Sequence, residues 1–381
     1  MTSEYMQLAL AEADLANGRT APNPPVGAVL VRDGVVVGRG HTLPPGEAHA
    51  EVVAMRQAGP AARGATLYVT LEPCCHFGRT PPCSDAIISA GVTAVVAAIR
   101  DPNPLVAGGG LAQLRGAGVE VTVGDGASAA EDQLRPFFKH IRSGLPFVTA
   151  KWAMSLDGKI ATASGDARWI SGPAARQWAH RLRDEVDAIV VGIGTVLADD
   201  PKLTVRLAGE DNRRVPRLTR PWRVVLDSTC RIPLAAKLLV PELAAGTLVY
   251  CTPRAAPAAC AAVAATGATV EIVPSDAEGH ADVRAVLSDL GKRGCLQVLV
   301  EGGGEMHAAF LQAGLVDSVA AVIAPKLIGG RSAPGPIGGV GVAQMPDAVE
   351  LTDCCMEPLG GDYLLRGRLA ATWAGGTPNA I

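Results

Sequence analysis

The amino-acid sequence predicts an α/β protein built from more than one domain. Short β-branched runs alternate with helix-patterned segments along the chain. Glycine and asparagine stops fall at the spacings expected of ordinary helices and strands. Apolar residues make up 48% of the chain and charged residues 19%, a composition that buries cores rather than staying disordered. At 381 residues the chain exceeds one typical core, so about two or three domains are expected.

Residues 3–17 place Met6, Leu8, Ala9, Ala13 and Leu15 on a helical pattern that ends at Asn17-Gly18. VGAVLV (26–31) and VVVGRG (35–40) flank Asp33-Gly34 and read as a hairpin. A helix over 49–59, a strand over 65–73, a helix over 84–91 and a buried strand over 92–101 follow. A helix over 108–118, a strand over 119–124 and a helix over 127–144 complete a first unit, with helices on a largely parallel sheet. The pattern restarts after Gly144, so the boundary is placed near residue 145. The expected division is 1–145, 146–375 and a tail at 376–381. In the second unit, strands are predicted over 146–158, 221–227, 246–251, 268–273 and 295–304. DAIVVGIGTVLADDP (187–201) reads as strand, turn and short helix, and the Ala-rich stretch 253–267 as a surface helix.

The net charge is −3, no long basic run occurs, and aromatics are only 4%. A groove with stacking platforms for nucleic acid is therefore not expected. The N-terminus carries acidic residues where a secretory signal has basic ones, and no apolar run reaches the ~20 residues that span a bilayer. A cytoplasmic protein without membrane contact is expected, its nine cysteines being free thiols or metal ligands.

The densest chemistry is PCCHFGRTPPC (73–83), preceded by His49-Ala50-Glu51. One imidazole and two thiolates, from His49, Cys74 and Cys83, supply three ligands of a tetrahedral zinc and leave one position for water. A structural site more often closes with a fourth Cys or His, so an open catalytic zinc is the preferred reading. Glu51, two residues from His49, stays off the metal and within reach of that water as a proton shuttle. This ligand set with a non-ligand Glu is the signature of zinc nucleobase deaminases, although eight residues separate Cys74 from Cys83 where that signature has two. Cys75 is too close to Cys74 to be an easy co-ligand and reads as a free neighbour.

These residues resemble a known family. H-A-E followed by T-L-E-P-C-x-H-x-G-R-T-P-P-C is similar to the deaminase half of the bifunctional riboflavin-biosynthesis deaminase–reductases, as is TAPNPPVGAVLV (20–31). KWAMSLDGKIA (151–161), residues 168–206, VLVEGGGEMHAAFL (298–311) and APKLIGG (324–330) resemble the reductase half. The long cysteine spacing is that family's form, while position 75, expected to be Ser, is Cys here. The resemblance implies a cytidine-deaminase-like zinc domain followed by a dihydrofolate-reductase-like domain. It implies hydrolytic deamination of a pyrimidinone bearing a ribosylamino 5′-phosphate, then NADPH-dependent reduction of the ribosyl chain to ribityl.

Carried over residue by residue, the resemblance gives zinc to His49, Cys74 and Cys83 and the proton shuttle to Glu51. Asn23 and His76 become contacts to the pyrimidine. Ala153, Trp169, Thr195, Asp199, Ser228, Gly303 and Gly304 line the NADPH site, and Ala167, Arg183, Leu203, Arg206 and Glu301 face the substrate. From the residues themselves, EGGG (301–304) between a strand and a helix is an anion site or a plain turn. Arg183 and Arg206 either fork a phosphate or make surface salt bridges, and Lys151 is a proton relay or a solvated lysine. The expected partners are a small phosphorylated pyrimidine and, as a homo-oligomer, further copies of the chain.

Overall fold

The computed structural model describes residues 2–78, 80–207 and 220–370. The expected tail at 376–381, and residues 371–375 of the second predicted domain, lie outside the described residues. The chain divides into two compact units with the cut between Leu145 and Pro146.

The first unit begins with α1 (Glu4–Ala16), whose N-cap Ser3 accepts a hydrogen bond from the Met6 amide. Met6, Ala9, Ala13 and Ala16 form its buried stripe, while Leu8 and Leu15 of the expected pattern flank it half-buried. The helix lies directly on β1 (Gly27–Arg32): a Cβ at Gly27 would fall 1.9 Å from the Ala9 carbonyl oxygen, so only glycine permits that approach. β2 (Val35–His41) returns through Asp33 and Gly34, both at positive φ, as the predicted hairpin requires. Then come α2 (Ala50–Ala58), β3 (Thr66–Val69), α3 (Cys83–Ala90), β4 (Ala94–Ala97), α4 (Gly109–Gly116), β5 (Glu120–Val123) and α5 (Ala127–Ser143).

The strand order is β2-β1-β3-β4-β5. The sheet is evenly mixed rather than largely parallel, because β2 and β3 both run antiparallel to β1 while β3, β4 and β5 run parallel. A two-residue hairpin allows only an antiparallel neighbour. The crossovers through α3 and α4 enforce parallel ones. β3 is shorter than predicted: after Val69 the chain leaves the ladder, and Thr70–Pro73 carries Cys74 beyond the strand end.

The second unit contains β6 (Phe147–Ser155), α6 (Pro173–Glu185), β7 (Ala188–Gly192), α7 (Ile193–Asp199), β8 (Trp222–Leu226), α8 (Pro241–Ala244) and β9 (Thr247–Cys251). It continues with α9 (Pro257–Ala264), β10 (Thr269–Ile272), α10 (Val283–Lys292), β11 (Gln297–Val300), α11 (Gly304–Gln312), β12 (Ser318–Ala324), β13 (Leu351–Leu359) and β14 (Asp362–Leu369). Nine strands order as β10-β9-β8-β7-β11-β6-β12-β14-β13. The seven from β10 to β12 are parallel, and β14 and β13 close the far edge as an antiparallel hairpin. Fully buried β9, and β7 buried up to its last residue, read as continuous apolar runs, as strands covered on both faces do. Late β11 is inserted between the early strands β6 and β7, with Val300 opposite Ala150 on one side and Val190 on the other. The order in which strands are laid down reverses at this point, β7 to β10 running out to one side and β6 and β12 lying on the other, and ligands of open parallel sheets sit beyond the carboxyl ends of such strands.

Candidate active sites

In the first unit, His49 is the N-cap of α2 and holds extended backbone angles there. Cys74 follows the β3 extension, and Cys83 is the first residue of α3. The His49 Nδ1 atom lies 3.6 Å from Cys74 Sγ and 3.3 Å from Cys83 Sγ, and the three potential ligand atoms fall within 4.8 Å of one another. A nitrogen and a sulfur on one tetrahedral zinc are separated by about 3.5 Å, given bond lengths near 2.0 and 2.3 Å. The residues therefore fit zinc. His49 Nε2 faces Thr80 Oγ1 at 3.5 Å, which orients the ring with Nδ1 toward the sulfurs.

The electrostatics point the same way. A hydrogen bond from Cys83 lowers the Cys74 thiol, and that same bond, together with burial, raises Cys83. A divalent cation held between the two sulfurs would let both ionise. The α3 N-terminus contributes through the Cys83 amide, which donates to Cys74 Sγ at 3.3 Å, so the helix end serves Cys74 rather than its own first residue. Glu51 is 4% exposed in the first turn of α2. Burial, and then the neighbouring Cys74, push its carboxyl up to about 7, where it both takes and gives protons at neutral pH. Cys75 points elsewhere, toward the Leu105 carbonyl and against Gly109.

Around this cluster stand supports the sequence reading did not single out. The buried Glu72 carboxylate accepts hydrogen bonds from the Asp101, Gly108 and Leu111 amides and so ties the loop before α4 to the β3 extension. Ser84 donates from both its amide and its hydroxyl to the Cys74 carbonyl. A charged residue closing an apolar strand, as in TLEP, was the available signal for Glu72. Asn23 sits in a turn whose backbone is tied to Thr20, and His76 Nδ1 is buried with no hydrogen-bond partner among the described residues.

In the second unit, Glu301 follows β11, and Arg183 reaches it from the last turn of α6. Arg183 Nε and Nη2 donate to the two carboxylate oxygens at 2.7 and 2.5 Å, and Nη1 donates to the Thr204 carbonyl at 3.2 Å. The guanidinium fork is thus filled by Glu301. Burial alone would raise the Glu301 carboxyl, but Arg183 overrides it and holds it down at about 2. Burial lowers Lys151 on β6, with Glu301 pulling the other way. Burial, then Arg183 and Arg206, lower His180 to about 4, so it remains neutral beside two cations. Arg206 is exposed, with Nη1 donating to Thr204 Oγ1.

The glycine loop joins β11 to α11 at the carboxyl end of the sheet. A Cβ at Gly302 would fall 2.9 Å from Thr195 Oγ1, so the loop lies on α7. Gly303, at φ +70°, is the N-cap of α11 and has Thr195 Oγ1 as its nearest such neighbour at 3.5 Å. Gly304 begins the helix against residues 335 and 338. The loop thus fits an anionic group of a cofactor such as NADPH at the helix N-terminus.

Asp199 ends α7, exposed, and its carbonyl accepts from Arg168. Trp169 is 64% exposed, with the Arg176 guanidinium 4.5 Å from its ring centroid. Ser228 lies just past β8, its hydroxyl accepting from the Ala281 amide. Ala153 lies on β6, half-buried beside Ala175 and Val322, and Ala167 is half-buried in the loop before Trp169. Leu203 has its side chain in the core at 4% exposure, so only its backbone, at φ +47°, is open to a ligand. A separate apolar cavity of about 420 Å³, lined by Trp152, Leu311, Ile337 and Leu351 among others, contains none of the predicted site residues.

Residues 1–99 match the family model described as the cytidine and deoxycytidylate deaminase zinc-binding region, and residues 146–365 match the RibD C-terminal domain. The chain is 42% identical to the riboflavin biosynthesis protein RibD of Aquifex aeolicus, covering 95% of this chain and 96% of that one. It is 41% identical to the RibD of Escherichia coli, covering 95% and 97%. Among solved structures, Acinetobacter baumannii RibD superposes with a TM-score of 0.85 at 38% identity, over 96% of this chain and 98% of that one. A Thermotoga maritima diaminohydroxyphosphoribosylaminopyrimidine deaminase/5-amino-6-(5-phosphoribosylamino)uracil reductase superposes at 0.81 and 33% identity, with the same coverage. With likeness running through both halves in one order, the chain belongs to the RibD family of riboflavin biosynthesis proteins, bifunctional enzymes that join a zinc-dependent deaminase to an NADPH-dependent reductase.

Proposed function

We propose that the first unit removes the amino group of 2,5-diamino-6-ribosylamino-4-pyrimidinone 5′-phosphate by hydrolysis and that the second reduces the ribosyl chain of the product to ribityl. The observation that carries the first step is the convergence of His49 Nδ1 and two cysteine sulfurs beside a buried carboxyl poised near neutrality. His49, Cys74 and Cys83 would hold a zinc ion, which would supply a bound water with its pKa drawn toward about 7. Glu51 takes that water's proton and returns it to the departing nitrogen, a role that suits a group titrating near the working pH. Asn23 and the partnerless His76 Nδ1 hold the pyrimidine.

In the second unit NADPH supplies the hydride. Thr195, Gly303 and Gly304 cradle its anionic part, with Ala153, Trp169, Asp199 and Ser228 along the same site. Arg206 carries the substrate phosphate, because the Arg183 fork is committed to Glu301. The Arg183–Glu301 pair positions Thr204 and its neighbours through the Nη1 bond to the Thr204 carbonyl, and Ala167 and the Leu203 backbone complete the pocket. Lys151, eased toward neutrality by burial, is the proton relay.

The setting is cytoplasmic: none of the nine cysteines, all of them among the described residues, is tied up in a disulfide, the state a reducing compartment maintains. The assembly is a homo-oligomer, supported by the exposed apolar side chains Val340, Met345 and, on β13, Met356, at 97%, 84% and 57% exposure. Light scattering tests it. The decisive experiment incubates the purified chain with the diaminopyrimidinone nucleotide, with and without NADPH, and follows mass. Exchange of an amino group for oxygen alone is expected without NADPH, and a further gain of two hydrogens with it. An unchanged substrate in both arms overturns the proposal.

A further inference from the structure

A second thiol cluster lies in the other unit. Cys230 stands in the turn after β8, Cys251 is the last residue of β9, and Cys260 is in the first half of α9. Their sulfurs all lie within 4.8 Å of one another. Three thiolates around a soft divalent cation at ~2.3 Å are about 4 Å apart, so the cluster already has the size of a metal site. Their backbones are fixed. Cys230 donates to the Asp227 carbonyl at 2.9 Å, the Cys251 carbonyl accepts from Val273 at 2.8 Å, and the Cys260 amide donates to Ala256 at 3.1 Å.

Buried cysteines are often small apolar packing residues, and Cys230 and Cys251 do sit in the core beside Val225 and Val249. Two observations go beyond packing. Cys230 holds φ +57°, a left-handed conformation that is strained for a residue with a Cβ and that glycine or asparagine would fill more easily. In the same turn, fully buried Asp227 has an Oδ1 with no hydrogen-bond partner among the described residues, and Arg231 Nε stands 4.0 Å from that oxygen. Negative charge without full compensation favours a cation nearby. Cys260, half-buried, leaves a way in.

We propose that Cys230, Cys251 and Cys260 form a second metal site, distinct from the deaminase zinc, that takes a soft thiophilic divalent cation of the zinc and cadmium class. Binding converts three thiols to thiolates and releases their protons to solvent. Thiolate ligands select such cations over hard ones like magnesium.

The test titrates cadmium into reduced full-length protein carrying its zinc, in a Cys354→Ser/Cys355→Ser background that removes the exposed thiol pair. Released zinc is counted with a chromophoric chelator. Cadmium bound without zinc release is followed by the thiolate-to-cadmium charge-transfer absorbance and X-ray absorption. One extra equivalent with three sulfur neighbours is expected, and cadmium should raise the unfolding temperature of this parent. Cys260→Ala, on a half-buried helix face, and Cys230→Gly, which relieves the left-handed backbone, should each remain folded by circular dichroism and lose that equivalent. No extra uptake by the parent, equal uptake by the two variants, or a disulfide between any two of these cysteines in the reduced protein overturns the site.

Discussion

Replacing Arg183 with methionine should destabilise the second unit far more than removal of an ordinary arginine, because it strands a buried carboxylate. The Glu301 side chain is only 7% exposed, and its two oxygens are occupied by Arg183. A carboxyl drawn from its ordinary 4.5 to about 2 corresponds to roughly 3 kcal/mol of linked stability. Because the folded value is depressed, that stabilisation is fully present above pH 4.5 and is lost as the pH falls toward 2. At neutral pH, Arg183→Met and Glu301→Gln should each cost about 3 kcal/mol, while the double variant should recover most of the loss, since removing both charges avoids an uncompensated one. All five tryptophans lie beyond residue 145, so tryptophan fluorescence during urea unfolding reports on the second unit alone. Between pH 4.5 and 2 the wild type should lose this increment and Arg183→Met should not. A coupling in the double-mutant cycle below about 1 kcal/mol would refute the reasoning.

Glu51→Gln should retain zinc by metal analysis and lose deamination by about 10²–10⁴-fold, leaving the NADPH-dependent step unchanged. Loss of zinc with this substitution would remove Glu51 from the proton role. Cys75→Ser should keep both zinc and deamination, whereas Cys74→Ser should lose both, because only Cys74 faces His49. Chelation of zinc should abolish deamination yet spare NADPH oxidation with substrate that is already deaminated. Circular dichroism recorded alongside separates this from unfolding, and a folded, chelated protein without either activity would contradict two independent sites.

The first unit was legible because its elements are short and sharply punctuated. Asp33-Gly34 dictates a hairpin, and alanines and a methionine at helical spacing dictate the buried face of α1. Three thiols and an imidazole in so short a span leave little else to do, yet only geometry separates Cys74 from Cys75. The second unit was less legible. The apolar face of α6 consists largely of alanines among many charges, so it carries little periodic signal. β13 is an exposed edge strand, LTDCCMEPL, whose polar residues and proline read as a loop. β12, SVAAVIA, carries an ordinary apolar strand signal, diluted by its three alanines. The pairing of Arg183 with Glu301 lay beyond any local reading, since 118 residues separate them and the sheet alone brings them together.

The place of β11 between β6 and β7 imposes an order on synthesis and folding. Everything the first sheet needs has been made by the end of α5 at Ser143. The second sheet, by contrast, lacks its middle until residues 297–300 leave the ribosome, because β6 and β7 are not neighbours and each pairs with β11. At ~5–20 residues per second, the hundred or so residues after β7 delay that closure by about 5–20 s. During that interval the apolar flanks of β6 and β7 have no central partner, and long-range parallel pairing is itself slow. A nascent chain stalled before Gln297 should hold a protease-resistant first unit attached to a second that is still readily cut.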